Sequence, residues 1–377
     1  MAQKPIQVFV HLARGFGAEY WNRRWKEGKI LGINEPFPYG YHRAQAMGCA
    51  VTYSQDVPEN AAAKLFRLGI RAILGFDLIH AWRNFAGIRG ADVVWTHTES
   101  QYLAILLLLR LSRAPRGPRL IAQSVWLFDR WPKFPKMRQR LISGLVRHAD
   151  ILTVHSPENL DMARRLFPGV RSELVLFGIA TETKVLPSER SSGKALNIVS
   201  LGNDEHRDWN LLLGAVSGRR DWKLRIASQT INASSVGNAE NVEIVGPKTN
   251  GDLLALYGWA DLLVLALKPN LHASGITVIQ EAVLQGVPVI CSDTGGLKAY
   301  FDETQVRFVS PRDVTKLRDA IDELAGDPEA RLSLARNAQA SMGPNGLSSE
   351  SFVRRHVEIS KDLLEPHNSS ERSAADG

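Results

Sequence analysis

Between Asn270 and Gly296 the chain reads NLHASGITVIQEAVLQGVPVICSDTGG, residue types that suit a ligand anionic at one end and rich in hydroxyls at the other. Ala273, Ser274 and Gly275 are small, so backbone N–H groups there can approach a phosphate. A helix that follows favours negative charge at its N-terminus by about 0.3–1 kcal/mol. Within that helix Glu281 is placed to accept hydrogen bonds from sugar hydroxyls, and His272, Ile276 and Thr277 complete the set. Gly286-Val287-Pro288 closes the helix and opens a buried strand, and Asp293-Thr294-Gly295-Gly296 reads as a tight turn. Each glycine alone reads as an ordinary turn; the signal lies in the ordered set.

Two further stations lie upstream. Leu201-Gly202-Asn203, followed by Arg207, places a cation just past a strand, and Arg can grip a phosphate bidentately. Lys248, in Val245-Gly246-Pro247-Lys248, offers a second charge or is a solvated loop lysine. Near the start, Ala13-Arg14-Gly15-Phe16-Gly17-Ala18-Glu19 follows the first strand. It lacks the third glycine and the acid that a dinucleotide fingerprint needs. Between Glu19 and Tyr41, Tyr20, Trp21, Trp25, Phe37, Tyr39 and Tyr41 alternate with Arg23, Arg24, Lys26 and Lys29. Such a mixture suits a sugar ring, a headgroup or a membrane interface, with core packing as the plain alternative.

The elements that must hold these residues are short apolar strands alternating with helices, the pattern of a parallel sheet covered on both faces. In the first half the strands are Ile6–Leu12, Ala50–Tyr53, Asp92–Thr96, Leu120–Gln123 and Ile151–Val154, with helices such as Ala61–Leu74, Gln101–Leu111, Met137–Arg147 and Asn159–Leu166. Thr181–Lys194 (TETKVLPSERSSGK) is polar and reads as a linker. A second alternation follows, with strands Leu196–Leu201, Lys223–Ala227, Val242–Val245, Leu262–Leu265, Val287–Cys291 and Val306–Phe308. Its helices are Trp209–Val216, Asp252–Trp259, Val278–Leu284, Val314–Leu324 and Ala330–Met342. The fold class is therefore α/β, with two doubly wound domains at 1–180 and 195–348, a last amphipathic helix within 349–366, and a polar tail at 367–377 that reads as disordered.

The 377 residues suffice for two cores, and 44% hydrophobic with 23% charged residues excludes a mainly disordered chain. Cys49 and Cys291 stand far apart with no Cys/His cluster, which argues against a disulfide scaffold and a structural metal. The longest apolar run, Tyr102 to Leu109, is too short for a bilayer, which takes about 20 residues. The opening residues read as a strand rather than a targeting segment, so a cytoplasmic enzyme is expected. The net charge of +7 is unevenly spread: residues 1–180 hold 25 Lys+Arg against 13 Asp+Glu, and the rest 21 against 26. Ten of the cations fall between Arg110 and Arg147 beside one acid, Asp129. This asymmetry predicts an anionic partner for the first domain, with a solvated basic face as the plain reading.

The ordered set resembles the nucleotide-sugar site of GT-B glycosyltransferases, especially family 4 (group 1). The family pattern Glu-x-Phe-Gly-Leu, Glu-Ala, small-Gly-x-Pro-Val and Gly-Gly is matched by Ser274-Gly275-Ile276, Glu281-Ala282, Gly286-Val287-Pro288-Val289 and Gly295-Gly296. Gly202, Asn203 and Arg207 resemble the loop that binds the donor pyrophosphate, and Gly15, Phe16 and Gly17 the glycine-rich acceptor loop. The resemblance implies two Rossmann-like domains facing a cleft, the last helix crossing back to the first domain, and neither metal nor cofactor. Three positions depart from the pattern. Ala273 replaces the glutamate that contacts the donor sugar, Asn203 replaces an arginine, and no histidine follows the fourth strand, which reads Ile121-Ala122-Gln123-Ser124-Val125. An inverting enzyme needs a base for the acceptor hydroxyl there; Asp129 and His97 are the candidates, each with a structural alternative. The family favours retention.

The expected function is transfer of a sugar from a nucleotide-sugar to an acceptor hydroxyl, on a glycan or lipid-linked precursor of exopolysaccharide, lipopolysaccharide or glycolipid. The basic Arg110–Arg147 stretch, with Trp131, Phe134, Met137 and Leu141 among its cations, is expected to bind an anionic membrane at its inner face, making the protein peripheral. No nucleic-acid motif is present. A sugar-nucleotide epimerase and a non-catalytic binder of anionic surfaces are the alternatives.

Overall fold

The computed structural model describes residues 4–112, 117–188, 195–237 and 239–365. Residues 189–194 of the linker, the tail 367–377, and Arg113 and Arg116 of the basic stretch lie outside them.

Among the described residues twelve strands form two parallel six-stranded sheets. The first holds β1 (Ile6–His11), β2 (Cys49–Tyr53), β3 (Val93–Thr96), β4 (Arg119–Ser124), β5 (Ile151–Val154) and β6 (Ser172–Leu174), in the order β2-β1-β3-β4-β5-β6. The second holds β7 (Leu196–Leu201), β8 (Trp222–Ala227), β9 (Val242–Val245), β10 (Leu262–Leu265), β11 (Val289–Ser292) and β12 (Arg307–Val309), in the order β12-β11-β10-β7-β8-β9. Strands such as β3, β5, β10 and β11 are buried along their whole length, because helices cover both faces. Strand order reverses between β1 and β3 and again between β7 and β10. Crevices open there at the carboxyl ends, and the loops of Gly15, His97, Gly202 and Ala273 lie at these two places, whereas Asp129 follows β4 and Lys248 follows β9.

The first sheet is covered by α1 (Ala18–Lys26), α2 (Ala61–Leu74), α3 (Leu78–Arg83), α4 (Phe85–Gly90), α5 (Glu99–Ser112), α6 (Leu127–Arg130), α7 (Lys136–Val146) and α8 (Pro157–Leu166). The second is covered by α9 (Trp209–Val216), α10 (Asn250–Trp259), α11 (Ile276–Leu284), α12 (Val314–Gly326) and α13 (Pro328–Ala340). Helix starts follow local chemistry. Ser156 caps α8 by accepting from Asn159 N–H at 3.1 Å, with Pro157 in the first position. Thr249 and Asp252 form a capping box on α10. Strand β11 begins later than expected, at Val289, because Pro288 has no N–H for the ladder and contributes only its carbonyl, to Leu263.

The last helix, α14 (Ser349–Leu364), lies on the first domain, where Trp95 Nε1 donates to Ser360 Oγ at 2.9 Å and Phe352, Val353 and Val357 are buried. The outgoing crossing passes against the incoming one: Ser349 N–H donates to Ile179 O at 2.8 Å, and the Ser348 backbone fills the space beside Gly178. A Cβ at Gly178 would overlap that backbone, so Gly178→Val is expected to lower unfolding free energy by about 3 kcal/mol, read by denaturant titration.

Candidate active site

The loops after β7 and β10 are stitched together beside the second reversal. Arg207 bridges to Leu267, Asp208 N–H donates to Ala266 O at 2.9 Å, and Lys268 N–H to His206 O at 2.8 Å. Arg207 is thereby drawn inward and buried. Its Nε donates to Leu201 O at 2.8 Å and its Nη1 to Ser274 Oγ at 3.0 Å. The guanidinium lies beneath Gly202 (φ +116°), where a Cβ would overlap it, and beside Gly275 (φ +88°), where a Cβ would press on Leu265 and on the guanidinium. Burial pushes its pKa down.

Asn270 shapes the next turn: its Oδ1 accepts from His272 N–H at 3.3 Å and Ser274 N–H at 3.2 Å. Ala273, where the family has a glutamate, adopts a left-handed conformation (φ +53°), and Gly275 caps α11 in the same region. Ser274 and Ile276 are buried beneath the turn, and Thr277 is exposed on the first turn of α11.

Alongside α11 lies a cavity of about 190 Å³, lined at the strand ends by Gly202, Asn203, Gln229 and Pro247, and closed by Glu281. Asn203 serves as a wall rather than a charge, since its Oδ1 accepts from Gln229 N–H at 2.7 Å and Ser228 Oγ at 3.2 Å. Lys248 is exposed beside Pro247. A strap from the first domain covers the cavity with Leu31. Gly32 N–H donates to Asn250 Oδ1 at 2.9 Å, and Ile33 N–H to Glu281 Oε1 at 3.1 Å. The Tyr257 hydroxyl donates to Glu281 Oε2 at 2.8 Å. Burial raises the Glu281 pKa, opposed by these two hydrogen bonds.

Asp129 and His272 meet across the cleft. Asp129 Oδ1 accepts from Leu271 N–H at 2.8 Å and Oδ2 from His272 Nδ1 at 2.8 Å, while His272 Nε2 donates to Asp204 Oδ2 at 2.9 Å. Burial alone would lower the His272 pKa, but the hydrogen bonds and charges of Asp129 and Asp204 outweigh it and raise it to about 9. Burial likewise opposes ionisation of Asp204, yet its bonds to His206 and His272 hold it well below the carboxylate range. His206 Nδ1 joins Asp204 Oδ1 at 3.0 Å. The neighbours of Asp129 are therefore His272, Leu271 and, at 3.8 Å, His206 Nε2, whereas Arg130 lies over the Trp126 ring. Asp204, His206 and His272 hold ligand-type atoms within 4.8 Å of one another, a grouping that the sequence did not single out. Asp204 and His206 stand in the loop between Asn203 and Arg207, and only folding brings His272 to them.

In the first domain the glycine loop is folded around Asp56, whose Oδ2 accepts from Gly15 N–H at 3.0 Å and Gly17 N–H at 3.3 Å. Gly15, Tyr20, Asp56, Leu68 and Arg71 line a cavity of about 470 Å³ between this loop and α2. Phe16 faces away from it, stacked between Trp21 and Tyr39. His97 is buried, stacked on Tyr39 with ring centroids 3.4 Å apart, and its Nδ1 is engaged by the Tyr41 hydroxyl. Burial, with His155 and His356 nearby, pushes its pKa well down, which keeps it neutral but packs it as a core residue. The aromatic segment divides: Trp21 and Tyr41 are core, and Tyr20 and Trp25 are exposed, with Arg23 and Arg24 over Tyr20. The segment expected to anchor at a membrane divides too. Helix α7 turns Ile142, Leu145 and Val146 into the core, and Trp131 packs edge-on against Phe167, which leaves Met137 and Leu141 as its exposed apolar side chains. Among the described residues no helix is long and apolar enough to cross a membrane.

Residues 206–341, which hold Arg207, His272, the turn at Ala273 and Glu281, match the family model described as "Glycosyl transferases group 1". That stretch, about a third of the chain, is similar to group 1 glycosyl transferases. The architecture of the whole chain is GT-B. Sucrose-phosphate synthase from Thermosynechococcus elongatus superposes with a TM-score of 0.70 at 15% identity, over 95% of this chain and 99% of that one. HepE of Anabaena, solved in complex with UDP-glucose, gives 0.65 at 14% identity, over 94% and 99%. In sequence, a D-inositol 3-phosphate glycosyltransferase of Salinispora tropica is 34% identical over 108 residues, 28% of this chain. The match spans 22% of that relative's own length. Both crevices of the GT-B pair thus carry loops that the sequence singles out: Gly202 to Glu281 in the second domain, Gly15 in the first.

Proposed function

We propose that the protein transfers a sugar from a nucleotide-sugar to an acceptor hydroxyl on a lipid-linked or polysaccharide precursor. The observation that carries this reading is the cavity beside α11, which ends on a buried carboxylate, Glu281, at one side and the Gly202–Arg207 loop at the other. The nucleoside occupies that cavity, and its ribose hydroxyls replace Ile33 N–H on Glu281. The diphosphate sits at the α11 N-terminus over the Arg207 guanidinium, with the His272 imidazolium adding positive charge as the leaving group departs. Asp129 takes the acceptor proton once His272 is drawn toward the diphosphate, and the acceptor enters past Gly15. His97, packed on Tyr39, positions that wall. The reading assigns the chemistry to these side chains without a metal or cofactor, so activity is expected to persist in chelator. The UDP-glucose complex of HepE makes uridine diphosphate the first probe.

Calorimetry and thermal shift against UDP, GDP, ADP and their sugar conjugates test the proposal. One nucleotide should bind, and Glu281→Ala should weaken it about 10- to 100-fold, the worth of one or two hydrogen bonds to a charged group. A folded protein that binds none of them overturns it. Turnover of the donor sugar without any acceptor would favour the epimerase instead.

A further inference from the structure

Helix α2 is built inside out. Of its residues Arg67 faces the domain at 5% exposure, whereas Leu65 is 74%, Phe66 62% and Ile73 79% exposed. Ala62, Leu65, Phe66, Gly69 and Ile73 recur at the helical spacing of one face, and that face points to solvent. The inward face is held by ions instead. Arg67 pairs with Glu59 at 2.9 Å and Asp77 at 2.6 Å, and Glu59 also binds Arg83 at 2.7 Å. These pairs leave the apolar stripe no route into the core. Water-exposed stripes of this kind mark a surface that is covered in use.

Charge indicates what covers it. Lys64 and Arg71 flank the stripe, and α2 contains no acid. The start of α7 adjoins its end, with the Arg138 guanidinium against Gly75, so exposed Lys133, Lys136, Arg140 and Met137 extend the same surface. A second copy of the chain, docked by the usual two-fold, would bring these cations against each other. A surface that is apolar and negatively charged relieves both features at once.

We infer that α2 is the membrane-docking element of the first domain and lies in the headgroup layer of an anionic bilayer, Leu65, Phe66 and Ile73 inserted and Lys64 and Arg71 on lipid phosphates. This deepens the lipid-acceptor reading above and moves the docking surface from the α7 segment to α2. It gives that reading a route, because Leu68 and Arg71 of α2 also line the 470 Å³ cavity at Gly15. An acceptor headgroup leaving the bilayer along α2 enters that cavity without crossing water.

The test is co-sedimentation with phosphatidylcholine vesicles, with and without phosphatidylglycerol, at two salt concentrations. Wild type should bind the anionic vesicles, more weakly at high salt. The triple variant Leu65→Ser, Phe66→Ser, Ile73→Ser should bind about a hundredfold less, and Lys64→Glu, Arg71→Glu should lose the preference for anionic lipid. All these side chains are exposed, so melting temperatures should stay at the wild-type value. No vesicle binding by wild type, equal binding by the triple variant, or a dimer that the triple variant dissociates would each overturn the inference. Nucleotide binding measured on the same samples separates the two readings, since its loss alone overturns the proposed transfer and leaves the docking surface standing.

Discussion

Replacing Arg207 with alanine is expected to lower sugar transfer by about 10²- to 10³-fold, the usual cost of one preorganised charge partner at a developing anion. The argument is geometric. The guanidinium is fixed by Leu201 O and Ser274 Oγ before any ligand arrives, and it lies under two glycines that let a diphosphate approach. No reorganisation is left for the moment of bond breaking. Arg207→Lys keeps the charge but cannot reach both oxygens as a planar fork, so it should recover only part of the rate. Thermal denaturation of both variants, run beside the kinetics, separates loss of the cradle from loss of the fold. An Arg207→Ala enzyme with wild-type turnover would remove the guanidinium from the mechanism.

The second large effect is on pH. His272 carries its proton between Asp129 and Asp204, and its pKa of about 9 stands above the unfolded value of 6.5. The stabilisation is therefore complete below about pH 6.5 and is lost as pH rises through about 9, an amount of order 3 kcal/mol. His206, 5.0 Å away between ring centroids, and the Trp126 ring are the other groups facing it. His272→Gln removes the charge and leaves two carboxylates facing each other across the cleft. That variant should melt lower than wild type at pH 6, by an amount that shrinks as pH approaches 10, and its rate profile should lose the limb near pH 9. A constant difference across that range would show that His272 is neutral in the folded protein.

Much of this site could be read from the sequence, for identifiable reasons. Apolar runs bounded by glycine and proline place β5, β7, β9 and β10 with the same ends that the structure has, and the helical period of Ala61–Leu74 places α2. Periodicity reports that a helix is amphipathic and is silent on which face turns inward. For α2 the decision rests on Glu59 and Asp77, acids outside the helix that capture Arg67. The same limit hid the pairing of Asp129 with His272, since the two residues belong to different domains and only the closed cleft joins them. Glu281 reads in the sequence as a hydroxyl acceptor, but neither Tyr257 nor Ile33, its partners in the fold, is signalled there, and Ile33 comes from a strap whose glycines look like any turn. Beyond the short strand β6 and the helices α1, α3, α4 and α6, what the sequence withheld is contact between distant segments.

The crossing of α14 has a consequence for the order in which the protein takes shape. Trp95 and Tyr41, both fully buried, lie against Phe352 and His356 of that helix. The first domain is therefore missing a piece of its interior until residue 364 has been synthesised, whereas the second domain is complete by residue 340. Read as a nested object, the second domain is an insertion whose two ends are pinned together by Ile179 and Ser349. During translation the later-made second domain is complete before the first domain receives its last helix.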